Sequence, residues 1–219
     1  MKKFNYLDYN LGEKPHIKIK ELCSFLKKNK VHTILDYHCG KGRNSIYLAK
    51  YGFDVSSLEF SFLLDKLERL IKKEKINITL LKLNNDKDYA ILKGRKFDAI
   101  IAWRVLHRGR DKERVKELNR LNQLLLQSGF LIITISSERD IKPDSKRRPH
   151  KEIEERTFEY ISKGVKNIRH YFTRKEILKI AHIHNLKILF LQEIKEKTGH
   201  ISNNYLRNYW LIIAQKNIS

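Results

Sequence analysis

The chain predicts an α/β fold: a doubly wound, mostly parallel sheet covered by helices, with one antiparallel strand near the C-terminus. Three observations predict it. Strand-like and helix-like runs alternate through the first two thirds of the sequence. Runs such as Ala99-Ile100-Ile101-Ala102 are apolar on both faces, as strands buried between two helical layers must be. The last two strand-like runs are joined by a polar link with no helical pattern, and a parallel crossover would need a helix there.

Taken in order, Ile19, Leu22, Phe25 and Leu26 share a face and predict a helix over 15–29. Val31-His32-Thr33-Ile34-Leu35 is a first strand, ending in Asp36. The turn Cys39-Gly40-Lys41-Gly42 leads into an apolar-periodic stretch, Ile46, Leu48 and Ala49, which stops at Tyr51-Gly52. Phe53 to Leu58 is a second strand, ending in Glu59. Residues 61–73 read as a helix capped by Ser61. Ile78 to Leu83 and Phe97 to Trp103 are the third and fourth strands. Asp111 is expected to cap a helix whose Val115, Leu118, Leu121 and Leu125 share a face, before a fifth strand from Phe130 to Ile135. The alternation breaks over 138–170, a charged stretch with Pro143, Pro149 and Gly164. It is too long for a plain connector, and is expected to be an inserted lid or substrate-covering segment in a single domain spanning 1–219. Thr173-Arg174-Lys175-Glu176 is a capping box opening a helix through Ile177, Ile180 and Ala181. Leu186 to Gln192 and Tyr209 to Gln215 are the closing strands, joined through Gly199, Asn203 and Asn204.

Composition narrows the function classes. Hydrophobic residues make up 41% with ten Phe and ten Tyr, which excludes a disordered chain. Two cysteines, Cys23 and Cys39, cannot make a disulfide scaffold, so reduced thiols are expected. No apolar run approaches the ~20 residues of a membrane helix. The segment Met1-Lys2-Lys3-Phe4-Asn5-Tyr6 has no secretory apolar core behind it, and the expectation is a soluble, cytoplasmic protein. The net charge of +21 reads two ways. One is a polyanion partner such as RNA or DNA. The other is a solvated Lys-rich surface, as in Lys72-Lys73-Glu74-Lys75.

The unit that carries chemistry runs from Ile34 to Asn44. Gly40 and Gly42 let the backbone approach a ligand closely, and the amides of the next helix point to the same place. Glu59 ends the following strand, 19 positions past Gly40. A carboxylate there can accept two hydrogen bonds from ribose hydroxyls. Together they describe a nucleoside-containing cofactor over the C-terminal edge of the sheet. Gly40-x-Gly42-x-x-Ser45 alone is a weak dinucleotide fingerprint. Asp36 discriminates: a carboxylate at the mouth of the loop repels a pyrophosphate and suits a ligand bearing an ammonium and a sulfonium. That favours S-adenosyl-L-methionine over NAD or FAD.

With these residues in view, the chain resembles the class I S-adenosylmethionine-dependent methyltransferases, and most of all their small, tellurite-resistance-like branch. The resemblance rests on Leu35-Asp36 with Cys39-Gly40-Lys41-Gly42-Arg43-Asn44, then Tyr47-Leu48-Ala49 and Gly52. It continues through Phe97-Asp98-Ala99-Ile100, Val105-Leu106-His107, Leu126-Gln127-Ser128-Gly129-Phe130-Leu131, Tyr171-Phe172-Thr173 with Glu176, and Trp210-Leu211-Ile212-Ile213-Ala214. It implies a Rossmann-like sheet of seven strands, S-adenosyl-L-methionine as cofactor, and methyl transfer to a small-molecule acceptor. His38 departs from the pattern, standing where the family has its first motif glycine, and Lys82 falls near the family's acidic position, with Asn84, Asn85 and Asp86 close by.

The resemblance implies site residues. Asp36, Gly40 and Gly42 surround the amino-acid part of the cofactor, with His38 and Asn44 in the same loop. Glu59 takes the ribose, with Phe60 beside it, and Asn84 or Asn85 lies near the adenine. Trp103 or Arg104 follows the fourth strand, and Tyr9 and His16 close over the cofactor. Ordinary packing is the competing explanation for Tyr9 and Trp103. Methyl transfer needs mainly an oriented nucleophile, and orientation can contribute about 7–11 kcal/mol. His107 and His170 are the candidate general bases. His182-Ile183-His184 is no metal pair, because i and i+2 on a helix diverge. Arg108-Gly109-Arg110 and Lys146-Arg147-Arg148 are expected to flank the substrate mouth. Two alternatives stand beside a small acceptor: an RNA- or DNA-directed methyltransferase using that basic rim, and a non-catalytic protein that kept the fold.

Overall fold

The computed structural model describes residues 17–85, 88–141, 150–162, 164–198 and 205–218. Its elements are α1 (Ile17–Lys28), β1 (Thr33–Tyr37), α2 (Arg43–Lys50), β2 (Asp54–Phe60), α3 (Ser61–Glu74), β3 (Ile78–Leu83), β4 (Phe97–Trp103), α4 (Asp111–Leu124), β5 (Leu125–Ser136), β6 (His150–Glu154), β7 (Thr157–Ser162), β8 (Val165–His170), α5 (Arg174–Ile183), β9 (Leu186–Thr198) and β10 (Tyr205–Lys216). The main sheet has seven strands in the order β3-β2-β1-β4-β5-β10-β9. Strand β10 runs antiparallel to both of its neighbours, and the remaining pairs are parallel. The strand order reverses between β1 and β4, which places a ligand crevice at the carboxyl ends of those strands.

Both faces of the sheet are buried, as the apolar runs require. On one face Ile34, Val55, Ala99, Ile101 and Ile132 meet Ile19, Leu22, Leu26 and Leu48 of α1 and α2. On the other, Leu35, Leu58, Ile100, Leu131 and Ile212 meet Leu118, Leu121, Ile177 and Ala181 of α4 and α5. Each Val, Leu or Ile among them contributes about 1.5–3 kcal/mol by leaving water.

Local expectations are corrected at four points. Ser61 is the first helical residue of α3 and not its cap, because β2 runs directly into the helix with Phe60 at the cap position. Asp111 likewise lies inside α4; Arg110 caps it, and the Glu113 carboxylate accepts from the Arg110 amide at 2.7 Å. Val115 is exposed, and Leu125 already belongs to β5. The inward stripe of α4 is Arg114, Leu118 and Leu121, one residue round from the predicted face. Arg114 fits there by burying its stem while its guanidinium reaches the Gly109 carbonyl and Asp111. The fifth strand starts earlier than its apolar run, because residues 126–129 bulge out between the pairs Phe97–Leu125 and Ala99–Phe130.

The charged stretch after β5 forms a second, antiparallel sheet in the order β6-β7-β8. It is fastened to the loop after β4. The His170 amide donates to the His107 carbonyl at 2.8 Å, the Gly109 amide donates to the Ile168 carbonyl at 3.2 Å, and Arg108 bridges Arg169. Pro143, Pro149, Lys146-Arg147-Arg148, Asp86, Gly199, Asn203 and Asn204 lie outside the described residues, as do Tyr9 and His16.

Candidate functional site

The β1–α2 loop turns under positive φ at His38 (56°), Gly40 (60°) and Gly42 (73°). The two glycines do different work. Among the described residues, a Cβ on Gly40 would meet nothing within 4 Å, so none of them crowds a ligand approaching the backbone there. A Cβ on Gly42 would come within 2.4 Å of Leu67, so that glycine lets the loop seat against α3. Asn44 is buried in the first turn of α2.

Asp36 lies under this loop and is 1% exposed, accepting from Ser45 Oγ at 2.6 Å. Burial pushes its carboxyl up to about 6, against the opposing Ser45 hydrogen bond. The Cys39 thiol is driven well above its ordinary value by burial and then by the charges of Asp36 and Glu59. The loop therefore bends over a negative field, the environment an ammonium or sulfonium favours.

Glu59, at the end of β2, is 5% exposed. Its carboxylate accepts from the Gly40 amide at 3.0 Å and the Phe60 amide at 2.9 Å, and lies 3.1 Å from His38 Nδ1. Burial alone would raise this carboxyl; the bonds from His38, Phe60 and Gly40 bring it below its ordinary value. The other His38 nitrogen lies 2.9 Å from the Tyr89 hydroxyl. Its ring is edged against Tyr37, with centroids 4.8 Å apart, and tilted over Phe60. The imidazole thus bonds the carboxylate that the sequence assigns to a ribose. Arg120 of α4 backs this corner, 3.5 Å above the Tyr89 ring and bonded to the Tyr37 hydroxyl at 3.1 Å. Tyr89 was not foreseen; its signal was an aromatic placed just past the third strand, on the same sheet edge as Glu59. Asn84 and Asn85 occupy the exposed bend between β3 and Tyr89. Lys82 turns away to Glu68 of α3 at 2.6 Å.

Trp103, the last residue of β4, is buried in the apolar cluster with Phe130 and Leu211. Arg104 has a positive φ of 61°, its amide donating to Thr134 Oγ1 at 2.9 Å. Its guanidinium reaches Glu196 of β9 at 2.8 Å and lies 5.6 Å from the Tyr209 ring centroid. His107 is 5% exposed, and its Nδ1 has no hydrogen-bond partner among the described residues. Burial, followed by the charges of Arg169, Arg108, Arg207 and Arg104, holds it well below the usual histidine value, so it stays neutral. His170 is different: Nδ1 lies 2.8 Å from Thr157 Oγ1 and Nε2 lies 2.7 Å from Glu176. Both ring nitrogens are engaged, and the residue braces the small sheet against α5. The capping box is accordingly half-formed: Thr173 accepts from the Glu176 amide, while the Glu176 carboxylate serves His170 and Arg156. The two candidate bases are therefore in unlike settings. Arg169, Arg207 and Glu196 were missed, since each lies far in sequence from the strand end it joins.

A family model for a methyltransferase domain matches residues 13–191. Among solved structures, an S-adenosylmethionine-dependent methyltransferase from Methanosarcina mazei superposes with a TM-score of 0.69 at 22% identity, covering 85% of this chain and 93% of that one. TehB from Haemophilus influenzae superposes with a TM-score of 0.63 at 18% identity over 93% of this chain, and the chain spans 63% of TehB's length. A 1,6-didemethyltoxoflavin-N1-methyltransferase from Burkholderia thailandensis, with 1,6-didemethyltoxoflavin and S-adenosylhomocysteine bound, gives 0.62 at 14% identity, covering 91% of this chain and 78% of that one. These likenesses establish the fold. No curated protein matches the chain.

Proposed function

Because this chain belongs to the methyltransferase-domain family, we propose that it transfers a methyl group from S-adenosyl-L-methionine to a small-molecule acceptor. The observation that carries the reading is the pairing of Glu59, at the end of β2, with a Gly40 backbone that no described residue crowds. These residues fit the cofactor: Glu59 can accept from ribose hydroxyls, Gly40 leaves room for the chain that follows, and Asp36 supplies negative field beneath it. When bound, the cofactor supplies an electrophilic methyl carbon: the acceptor's lone pair forms the new bond as the carbon–sulfur bond breaks, leaving S-adenosylhomocysteine.

The protein's own part is to hold, orient and exclude water. His38 must give up its bond to Glu59 for ribose hydroxyls to take its place. His107, kept neutral beside the end of β4, is the candidate to receive a proton from an N–H or O–H acceptor; His170 would have to break two hydrogen bonds to do so. The test is release of S-adenosylhomocysteine from S-adenosyl-L-methionine in the presence of a panel of small amines, phenols and carboxylates. Acceptor-dependent product is expected, and product with none of them across the panel contradicts the reading.

One observation favours a second reading, a protein that kept the fold without the chemistry: the His38 imidazole bonds the ribose-binding carboxylate. On that reading only His38→Gly binds S-adenosylhomocysteine. On ours the unmodified protein also binds, and His38→Gly binds up to about tenfold more tightly, the worth of one exchanged hydrogen bond.

A further inference from the structure

A carboxylate offers about four acceptor positions. Three of those on Glu59 are taken among the described residues. One oxygen accepts from the Phe60 amide at 2.9 Å and lies 3.1 Å from His38 Nδ1; the other accepts from the Gly40 amide at 3.0 Å. A ribose diol brings two donors, so one of these bonds must go. Two of the three come from backbone that the strand end and the loop hold in place. The imidazole is the only side chain among them, and the one that can leave.

Whatever holds the imidazole there sets the cost of that exchange. His38 Nε2 lies 2.9 Å from the Tyr89 hydroxyl. A hydroxyl donates or accepts, so it matches Nε2 in either protonation state of the ring. Both nitrogens belong to one rigid ring, and a turn about Cα–Cβ or Cβ–Cγ moves both. Nδ1 therefore cannot swing off Glu59 while Nε2 stays on Tyr89. Tyr89 is itself held. Its ring stacks on that of Tyr37, with centroids 6.2 Å apart and planes at 24°. The Arg120 guanidinium of α4 lies 3.5 Å from the Tyr89 ring centroid, a cation–π contact. Arg120 also donates to the Tyr37 hydroxyl at 3.1 Å and bonds Glu117, whose carboxylate accepts from that same hydroxyl. Tyr37 is fully buried at the end of β1. The latch is thus tied to both the sheet and α4.

We propose that Tyr89 is a positioning residue for the cofactor: fixed by Tyr37 and Arg120, it latches the His38 imidazole across Glu59 and so sets how tightly the ribose is held. This rests on the methyltransferase reading above and adds what tunes the affinity of that site. Tyr89 acts through His38, so its effect on the ligand requires the imidazole.

The test titrates S-adenosylhomocysteine by calorimetry into the unmodified protein, Tyr89→Phe, His38→Gly and the double variant. Tyr89→Phe keeps the ring on which Tyr37 and Arg120 pack and removes only the hydroxyl. It should bind the ligand about two- to tenfold more tightly, the worth of one neutral hydrogen bond. In the His38→Gly background the same substitution should change affinity by less than about twofold, because the two residues act as one unit. A purely structural role for Tyr89 would weaken binding, and would do so in both backgrounds. The unmodified protein gives a second readout that needs no variant: on adding S-adenosylhomocysteine, the nitrogen resonances of both His38 ring positions should shift together. Movement of Nδ1 alone would mean that the ring pivots on Tyr89, and would overturn the inference. It is also overturned if Tyr89→Phe binds no more tightly than the unmodified protein, or if the gain is as large in the His38→Gly background. Those results leave the methyltransferase reading standing. Absence of S-adenosylhomocysteine binding in all four proteins would instead sink that reading, and this inference with it.

Discussion

Glu59 and His107 stand at the ends of neighbouring parts of one crevice, and they are provided for in opposite ways. The Glu59 carboxylate is served by two amides and an imidazole of its own chain. The His107 Nδ1 is buried with no partner among the described residues, amid arginines. On the cofactor side, a ligand must exchange bonds the protein already makes. On the far side, the described residues leave one buried ring nitrogen without a hydrogen bond. The first arrangement keeps the ligand-free fold stable at the expense of affinity; the second leaves that nitrogen without a hydrogen bond among the described residues, at a cost in stability.

The largest effect should come from the cofactor side. Glu59→Gln removes the charge that two ribose hydroxyls would meet, at about 1.5–3 kcal/mol for each bond to a charged group. S-adenosylhomocysteine affinity, by calorimetry, should fall at least about a hundredfold; a change under about threefold would break the contrast, since Glu59 would then be only structural.

The two glycines come next. Gly42→Ala forces a Cβ within 2.4 Å of Leu67 under positive φ. It should cost about 2–4 kcal/mol of unfolding free energy by chemical denaturation. Gly40→Ala meets none of the described residues, so it should cost only the backbone penalty of about 1–2 kcal/mol while weakening S-adenosylhomocysteine. Equal stability losses would show that Gly40 borders packing and no cradle.

Asp36 gives the smallest effect, and it sharpens the comparison by moving two quantities in opposite directions. Its carboxyl is raised to about 6 by burial, so it ionises above that pH. Cofactor affinity should fall about tenfold from pH 7 to pH 5 as the attracting charge is lost, one pKa unit being worth about 1.4 kcal/mol. The stability sign is opposite. A raised acid pKa means that the folded state pays for the ionised form at neutral pH and is relieved as pH falls from 6 towards the unfolded value near 3.8. Asp36→Asn should therefore be more stable than the unmodified protein at pH 7, and that advantage should shrink by pH 5. An advantage independent of pH would rule out the buried charge as its cause.

The same contrast explains what could be read from the chain alone. The seven strands, their order of appearance and the antiparallel close followed from period and from double-sided apolar runs, because burial acts on short contiguous segments. Asp36, Gly40, Gly42 and Glu59 sit within one βαβ unit, so their spacing carried their geometry. Arg169, Arg207 and Glu196 reach the crevice only through the pairing of β8 with the loop after β4 and of β9 with β10. No local pattern encodes that convergence. The misplaced face of α4 has a related cause: Arg114 looks polar in sequence but packs through its stem, so a count of apolar letters chose Val115.

The central claim is that Glu59 accepts a ribose in exchange for His38, and the most direct test follows the His38 ring nitrogens by NMR while S-adenosylhomocysteine is added to the unmodified protein. A saturable shift of those resonances at one ligand per chain is predicted. His38 signals unmoved by excess ligand would contradict it.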